Sequence, residues 1–185
     1  MKNHMQGRRL PIAAVAGLLT LGLVMPASAL PGDTTATVTV IGGALSITVP
    51  AVAPGAGGSL GQLVNTVSGG VISGSLGPVQ VSDARSAAAG SGWIASVIST
   101  AFTPVLGGPT IGAALVGYTA GPITKVGTAT YTANDPTHLK GVLPAVTATG
   151  ITGDNSATWT PMINVAVPGG KVAGVYAGTI THSVL

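Results

Sequence analysis

Residues Thr37 to Val40 alternate, with Val38 and Val40 set against Thr37 and Thr39. Leu45, Ile47 and Val49 repeat the pattern against Ala44, Ser46 and Thr48. A period of two predicts strands with one buried face. Gly42-Gly43 between the two runs predicts a tight hairpin turn. Pro50 to Gly61, rich in Gly, Pro and Ala, reads as a surface loop. Val79-Gln80-Val81 opens the next strand, which ends at Asp83-Ala84-Arg85, and Ser86 to Gly92 reads as a small, flexible stretch. Trp93, Ala95 and Val97 then share one face of a strand running to Phe102, and Pro104 to Pro109 breaks it.

Further along, Ile123 to Tyr131 reads as a strand, Ala133 to Lys140 as a polar loop, and Val142 to Gly153 alternates weakly. Trp159, Met162, Ile163, Val165 and Val167 mark one strand region, with Pro161 pointing to an edge or bulge. Pro168-Gly169-Gly170-Lys171 is a turn, and Val172 to Val184 is the last strand. No stretch after residue 29 keeps a 3.6-residue period with caps, so little helix is expected. Short strands between Gly/Pro turns predict an all-β fold, a single antiparallel β-sandwich of Ig-like or Greek-key type. The repeat of Gly58-Ser59-Leu60-Gly61 as Gly74-Ser75-Leu76-Gly77 reads as coincidence in so Gly/Ser-rich a chain.

The first 29 residues break this pattern. Lys2, Arg8 and Arg9 precede an apolar run from Ile12 to Val24, Pro26 ends it, and Ala27-Ser28-Ala29 follows. That order of features predicts a cleaved secretory signal peptide over residues 1–29, leaving a β-sandwich domain over residues 30–185. Removing the signal leaves Arg85, Lys125, Lys140 and Lys171 against Asp33, Asp83, Asp135 and Asp154, a net charge of zero with His neutral. Four scattered cations do not make a nucleic-acid surface, and no membrane association is expected once the signal is gone. Weak charge repulsion favours self-association. The chain holds no cysteine, so packing alone must hold the domain, and thiolate metal sites and thiol catalysis are excluded.

Candidate chemistry is sparse. Gly57-Gly58-Ser59-Leu60-Gly61 matches the G-x-S-x-G pattern of serine hydrolases, but it follows a Pro/Gly loop with no strand-to-helix context. His138 and His182 read as solvated or packed, and no third ligand proposes a metal site. Asp83 and Arg85, two apart at a strand end, read as a structural pair. Asp154-Asn155 reads as a turn without calcium-loop spacing. Trp93 and Trp159 lie in apolar strand patterns and read as core residues. No catalytic set, cofactor or metal is expected.

Leu76 to Phe102 reads LGPVQVSDARSAAAGSGWIASVISTAF, a Leu-Gly, an alternating strand, a Val-Ser-Asp-Ala-Arg turn, then Gly-Trp and a strand ending Ser-Thr-Ala-Phe. With Leu45 to Pro50, Trp159-Thr160-Pro161 and the closing Val175 to Val184, this resembles the WxL-type surface domains of Gram-positive bacteria, in their divergent actinobacterial form. At the two Trp-x-Leu positions this chain has Trp93-Ile94-Ala95 and His182-Ser183-Val184. The resemblance implies a β-sandwich that attaches non-covalently to the cell wall through peptidoglycan, or joins other surface proteins. On that basis Trp93 and His182 are the candidate wall or partner contacts. Trp159, Tyr176, Asp83 and Arg85 are expected to be core or structural. With no sorting motif or hydrophobic tail before Leu185, non-covalent retention is expected. The expected function is thus a non-enzymatic, secreted surface protein. The alternatives are a self-assembling extracellular structural subunit and, last, a secreted hydrolase.

Overall fold

Two long strands form the spine. β3 (Val79–Ser99) runs antiparallel to β7 (Leu143–Trp159), and β6 (Ile123–Ala133) flanks β7. The other margin of β3 is shared end to end by β1 (Leu45–Thr48), opposite residues 80–83, and β10 (Ile180–Val184), opposite residues 95–99. The order is β1-β3-β7-β6, with β10 on β3. A second sheet has the order β2-β8-β5, from Gly70–Ser75, Met162–Val167 and Val116–Thr119. A two-residue ladder joins β4 (Thr103–Pro104) to β9 (Tyr176–Ala177). This computed structural model describes residues 37–64 and 66–185. The predicted signal peptide and the start at Leu30 lie outside the described residues.

Strand parity builds the core. Val79, Val81, Trp93, Ala95 and Val97 of β3 and Ala157 and Trp159 of β7 face inward. Val116 and Tyr118 of β5 and Ile163 and Val165 of β8 belong to the same buried cluster. The two sheets thus make an antiparallel β-sandwich, as the alternation predicts. Each fully buried Val or Ile contributes roughly 1.5–3 kcal/mol, and no disulfide assists.

The large sheet is sharply irregular at mid-length. From Asp83 to Trp93 β3 uses ten residues where β7, from Asn155 to Ala148, uses seven. From Val126 to Thr130 β6 uses four where β7, from Ser156 to Thr149, again uses seven. Mismatched spans like these are bulges, which bend the bulged strand. Gly127 makes one possible: its φ is +88°, and a Cβ there would lie 2.6 Å from the Asp154 carbonyl oxygen.

Several boundaries differ from the sequence expectation. Gly42-Gly43 is not a hairpin turn, and residues 37–44 belong to no strand. Gly43 N–H donates to the Ala84 carbonyl instead, placing this stretch beside β3. Ser86 to Gly92 is part of β3, and Asp154-Asn155 lies inside β7 rather than in a turn, because cross-strand pairing continues past both. Trp159 and Met162–Val167 sit in different sheets: Pro161 cannot donate to a ladder, and the chain crosses over there. The final strand is split into β9 and β10, with Gly178 packed against the Phe102 ring between them.

Candidate functional site

The mid-sheet bend brings polar groups inward. Asp83 continues the buried parity of Val79 and Val81 and is only 1% exposed. Its Oδ1 accepts from Arg85 Nε at 2.8 Å and from the Arg85 backbone N–H at 3.1 Å. Its Oδ2 accepts from Arg85 Nη2 at 2.9 Å and from Asn155 Nδ2 at 3.3 Å. Asn155 Oδ1 in turn accepts from Trp93 Nε1 and from the Tyr131 hydroxyl, each at 3.1 Å. The Trp93 and Tyr131 rings lie 5.7 Å apart, tilted at 53°. Two donors on one side and a carboxylate on the other fix the Asn155 amide orientation. The Arg85 guanidinium beside Asp83 holds its carboxyl below the usual carboxylate range, with the Asn155 amide helping against burial.

Arg85 does a second thing. Its Nη2 also donates to the Gly92 carbonyl at 3.3 Å, so one side chain ties both ends of the Ser86–Ser91 excursion. Asp154 Oδ1 holds the same excursion from β7, accepting from Ser86 N–H at 2.9 Å and Ser86 Oγ at 3.2 Å.

A second buried node joins the sheets. Trp159 Nε1 donates to the Tyr118 hydroxyl oxygen at 2.7 Å, and His182 Nε2 lies 3.2 Å from the same oxygen. His182 shares the inward parity of Ile180 and Val184. Because the Tyr118 oxygen already accepts from Trp159, its own proton is best satisfied by an unprotonated Nε2, which assigns the proton to Nδ1. Burial pushes His182 down to about 4 and raises the Tyr118 phenol above its ordinary value.

Trp93, at 2% exposed, and Trp159, at 1%, are therefore both buried, in separate nodes. His182 is half-buried, and its ring meets the Tyr118 hydroxyl that Trp159 also reaches rather than Trp93. Tyr176 is half-buried, its hydroxyl donating to the Val172 carbonyl at 2.9 Å. Ser59 follows a single 3-10 turn (Ala56–Gly58), where its hydroxyl exchanges hydrogen bonds with the Gly61 backbone. His138 is exposed in the loop after β6. Among the described residues no group of three His, Cys, Asp or Glu could hold a metal ion.

The outward face of the large sheet is organised differently. Thr48, Gln80, Thr158 and Thr124 stand in one row across β1, β3, β7 and β6, and Ser46, Ser82, Ser156 and Val126 in the next. Threonines pair directly between β6 and β7 as Thr124–Thr158, Thr128–Thr152, Thr130–Thr149 and Thr132–Thr147. Gln80 Nε2 donates to Thr158 Oγ1 at 3.2 Å within this array. These rows carry no charged side chain. Lys125 takes the other face, in register with buried Ala157 and 6.0 Å from the Tyr131 ring centroid. The outward face of the small sheet holds a groove of about 360 Å³ bordered by Val71, Leu115, Thr119, Asp135 and Asn164.

Sequence reading did not single out Tyr118, Tyr131 or Asn155. Tyr118 and Asn155 each lie two residues from a neighbour on the buried parity, Val116 and Ala157. The signal was present, but Asp154-Asn155 after Gly153 has turn chemistry. No family model, curated protein or solved structure matches the chain.

Proposed function

We propose that the protein is a non-enzymatic, secreted surface protein that associates non-covalently with the cell wall. The observation that carries this reading is the pair of uncharged rows on the outward face of the large sheet, six of whose eight side chains are Thr or Ser and which stand in register across four strands. Strand spacing sets neighbours within a row about 4.8 Å apart and two residues of strand set successive rows about 6.6 Å apart, and each hydroxyl offers one donor and two acceptor sites. Such a face suits a neutral polymer of hydroxyl and acetamido groups, the chemistry of peptidoglycan glycan strands. Its contact needs no counterion release, so binding would persist at high salt.

The WxL resemblance supports the same extracellular setting. Trp93 and His182 occupy its two motif positions, yet both serve the inward networks. Wall contact is therefore assigned to the outward threonines rather than to these two side chains. Other surface proteins are the second class of partner, for which the half-apolar groove beside Asn164 is the candidate seat.

The test is co-sedimentation with purified sacculi. The protein is expected to pellet with them at both low and high salt. Thr124→Ala/Thr158→Ala, both outward, is expected to weaken pelleting while leaving the unfolding midpoint unchanged. A protein that stays in the supernatant, or pelleting indifferent to these threonines, overturns the assignment.

A further inference from the structure

Thr37 to Ile41 is a strand sequence without a strand. Threonine and valine alternate from Thr37 to Val40, and Ile41 follows, yet residues 37–44 belong to no strand. Val38 is 90% exposed, Val40 78% and Ile41 87%. Leaving three adjacent β-branched side chains in water forfeits roughly 1.5–3 kcal/mol each relative to burial.

The chain explains why the segment is unpaired at home. Gly43 N–H donates to the Ala84 carbonyl, and Gly42 lies so close to β3 that a Cβ would fall 2.4 Å from the Arg85 carbonyl oxygen. Beyond Arg85, β3 swings into its excursion. From Ile94 the same margin is taken by the chain end, Ile94 N–H donating to Leu185 at 2.8 Å and Leu185 N–H to Ile94 at 3.2 Å. No continuous stretch of β3 margin is left for residues 37–41.

One long margin of the large sheet has no paired strand among the described residues, the outer side of β6. Lys125 and the Gly127 bulge guard its first half in the way edges are usually protected. The second half, Thr128-Ala129-Thr130-Tyr131-Thr132, carries no charge, proline or glycine, and from Thr130 onward it keeps register with β7. It has the same two-faced composition as the free segment, with threonines outward and Ala129 and Tyr131 half-buried against the core. Thr37-Val38-Thr39-Val40-Ile41 laid beside it would extend the threonine rows and cover the flanks of Ala129 and Tyr131.

The donor cannot serve its own β6. β1 and β6 stand at opposite margins, three strand spacings or about 14 Å apart. Ile41 adjoins Gly42, which is held beside Arg85, and no linker intervenes. We propose that Thr37–Ile41 adds as a strand to the outer margin of β6 in a second copy of this chain. The contact is heterologous, since donor and acceptor are different surfaces. Each acceptor copy keeps its own donor, so the association propagates head to tail unless it closes into a ring. After residue 29, with Arg85, Lys125, Lys140 and Lys171 against Asp33, Asp83, Asp135 and Asp154, charge repulsion between copies is weak.

The absence of cysteine makes the test clean. The protein expressed from its full sequence is followed by light scattering over a concentration series, without cell-wall material, so that failure of wall binding has no bearing. Mass is expected to rise with concentration, and Val38→Lys/Val40→Lys is expected to abolish that rise while unfolding at the same midpoint. Separately purified Thr39→Cys and Thr130→Cys copies, mixed with a short bis-maleimide, are expected to give a heterodimer. Thr39→Cys mixed with Thr48→Cys, on the opposite margin, is expected to give none. A monomer at every concentration, assembly unaffected by the lysines, or cross-linking as strong to position 48 as to 130 overturns the proposal.

Discussion

Trp93 Nε1 donates to Asn155 Oδ1 at 3.1 Å across 62 residues of chain, although strand register places Trp93 opposite Ala148. Seven residues of extended β7 would separate Asn155 from Ala148 by about 23 Å. The bulges shorten that path until one indole can span it. The bond and the bend therefore require each other.

Asn155 is the hub, and its removal should cost more than the loss of either donor. Trp93→Phe keeps an aromatic ring but drops the N–H, an expected loss of about 1–3 kcal/mol. Asn155→Ala leaves the Trp93 N–H without its acceptor, leaves the Tyr131 hydroxyl only the Ser156 carbonyl at 3.4 Å, and removes one donor from Asp83, so its loss should exceed that of Trp93→Phe. Urea unfolding followed by tryptophan fluorescence gives both values. An Asn155→Ala variant within about 0.5 kcal/mol of the parent would count against the network.

Asp83 and Arg85 differ in what each leaves behind. The Arg85 side chain is 38% exposed and finds water when its partner is lost, whereas Asp83 is sealed. Arg85→Met should therefore destabilise by roughly 2–4 kcal/mol, and adding Asp83→Asn should recover part of the loss. A double-mutant cycle on unfolding free energies checks this, and additive losses would refute the coupling.

Acid should act in two separate windows. His182 is held down to about 4 when folded against about 6.5 unfolded. In that interval the unfolded chain binds more protons, so stability is full above pH 6.5 and falls towards pH 4, by on the order of 3 kcal/mol. Asp83 is lowered too, so its contribution is present above the unfolded carboxylate value of about 3.9 and is lost only at lower pH. Denaturation midpoints in His182→Gln should lose the first slope and keep the second. An unchanged pH profile would show that His182 does not titrate on unfolding.

Gly127 reports on the bend itself. Its φ of +88° and its approach to the Asp154 carbonyl leave no room for a side chain. Gly127→Ala should cost at least about 1 kcal/mol, whereas Gly90→Ala, also at positive φ but in open space, should cost less. Equal costs would mean that close packing of β6 on β7 contributes nothing at this point.

Much of this was legible in residue order. Inward positions followed from period two: Val79, Val81 and Asp83 share one parity, as do Trp93, Ala95 and Val97. The pairing of Asp83 with Arg85 followed from their spacing. Asn155 was not legible, because the residues around it, Gly153-Asp154-Asn155, have turn chemistry, and only cross-strand pairing with Asp83 keeps them in a strand. The grouping of Trp159 with Met162–Val167 failed for a related reason. Alternation continues across Pro161, while the chain changes sheets.

Residue order by itself determined that this is an all-β, cysteine-free chain of one-faced strands whose charges balance after residue 29, because side-chain alternation and charge are local properties. Only the tertiary structure decided which strands meet. β1 and β10 share one margin of β3, Trp93 reaches Asn155, Trp159 and His182 meet at the Tyr118 hydroxyl, and Thr37–Ile41 has no partner strand among the described residues. Backbone hydrogen bonds are alike in every strand, so sequence names the face that turns inward but not the neighbour. That choice is made by shape, where bulges and buried polar groups accept one register and refuse the others.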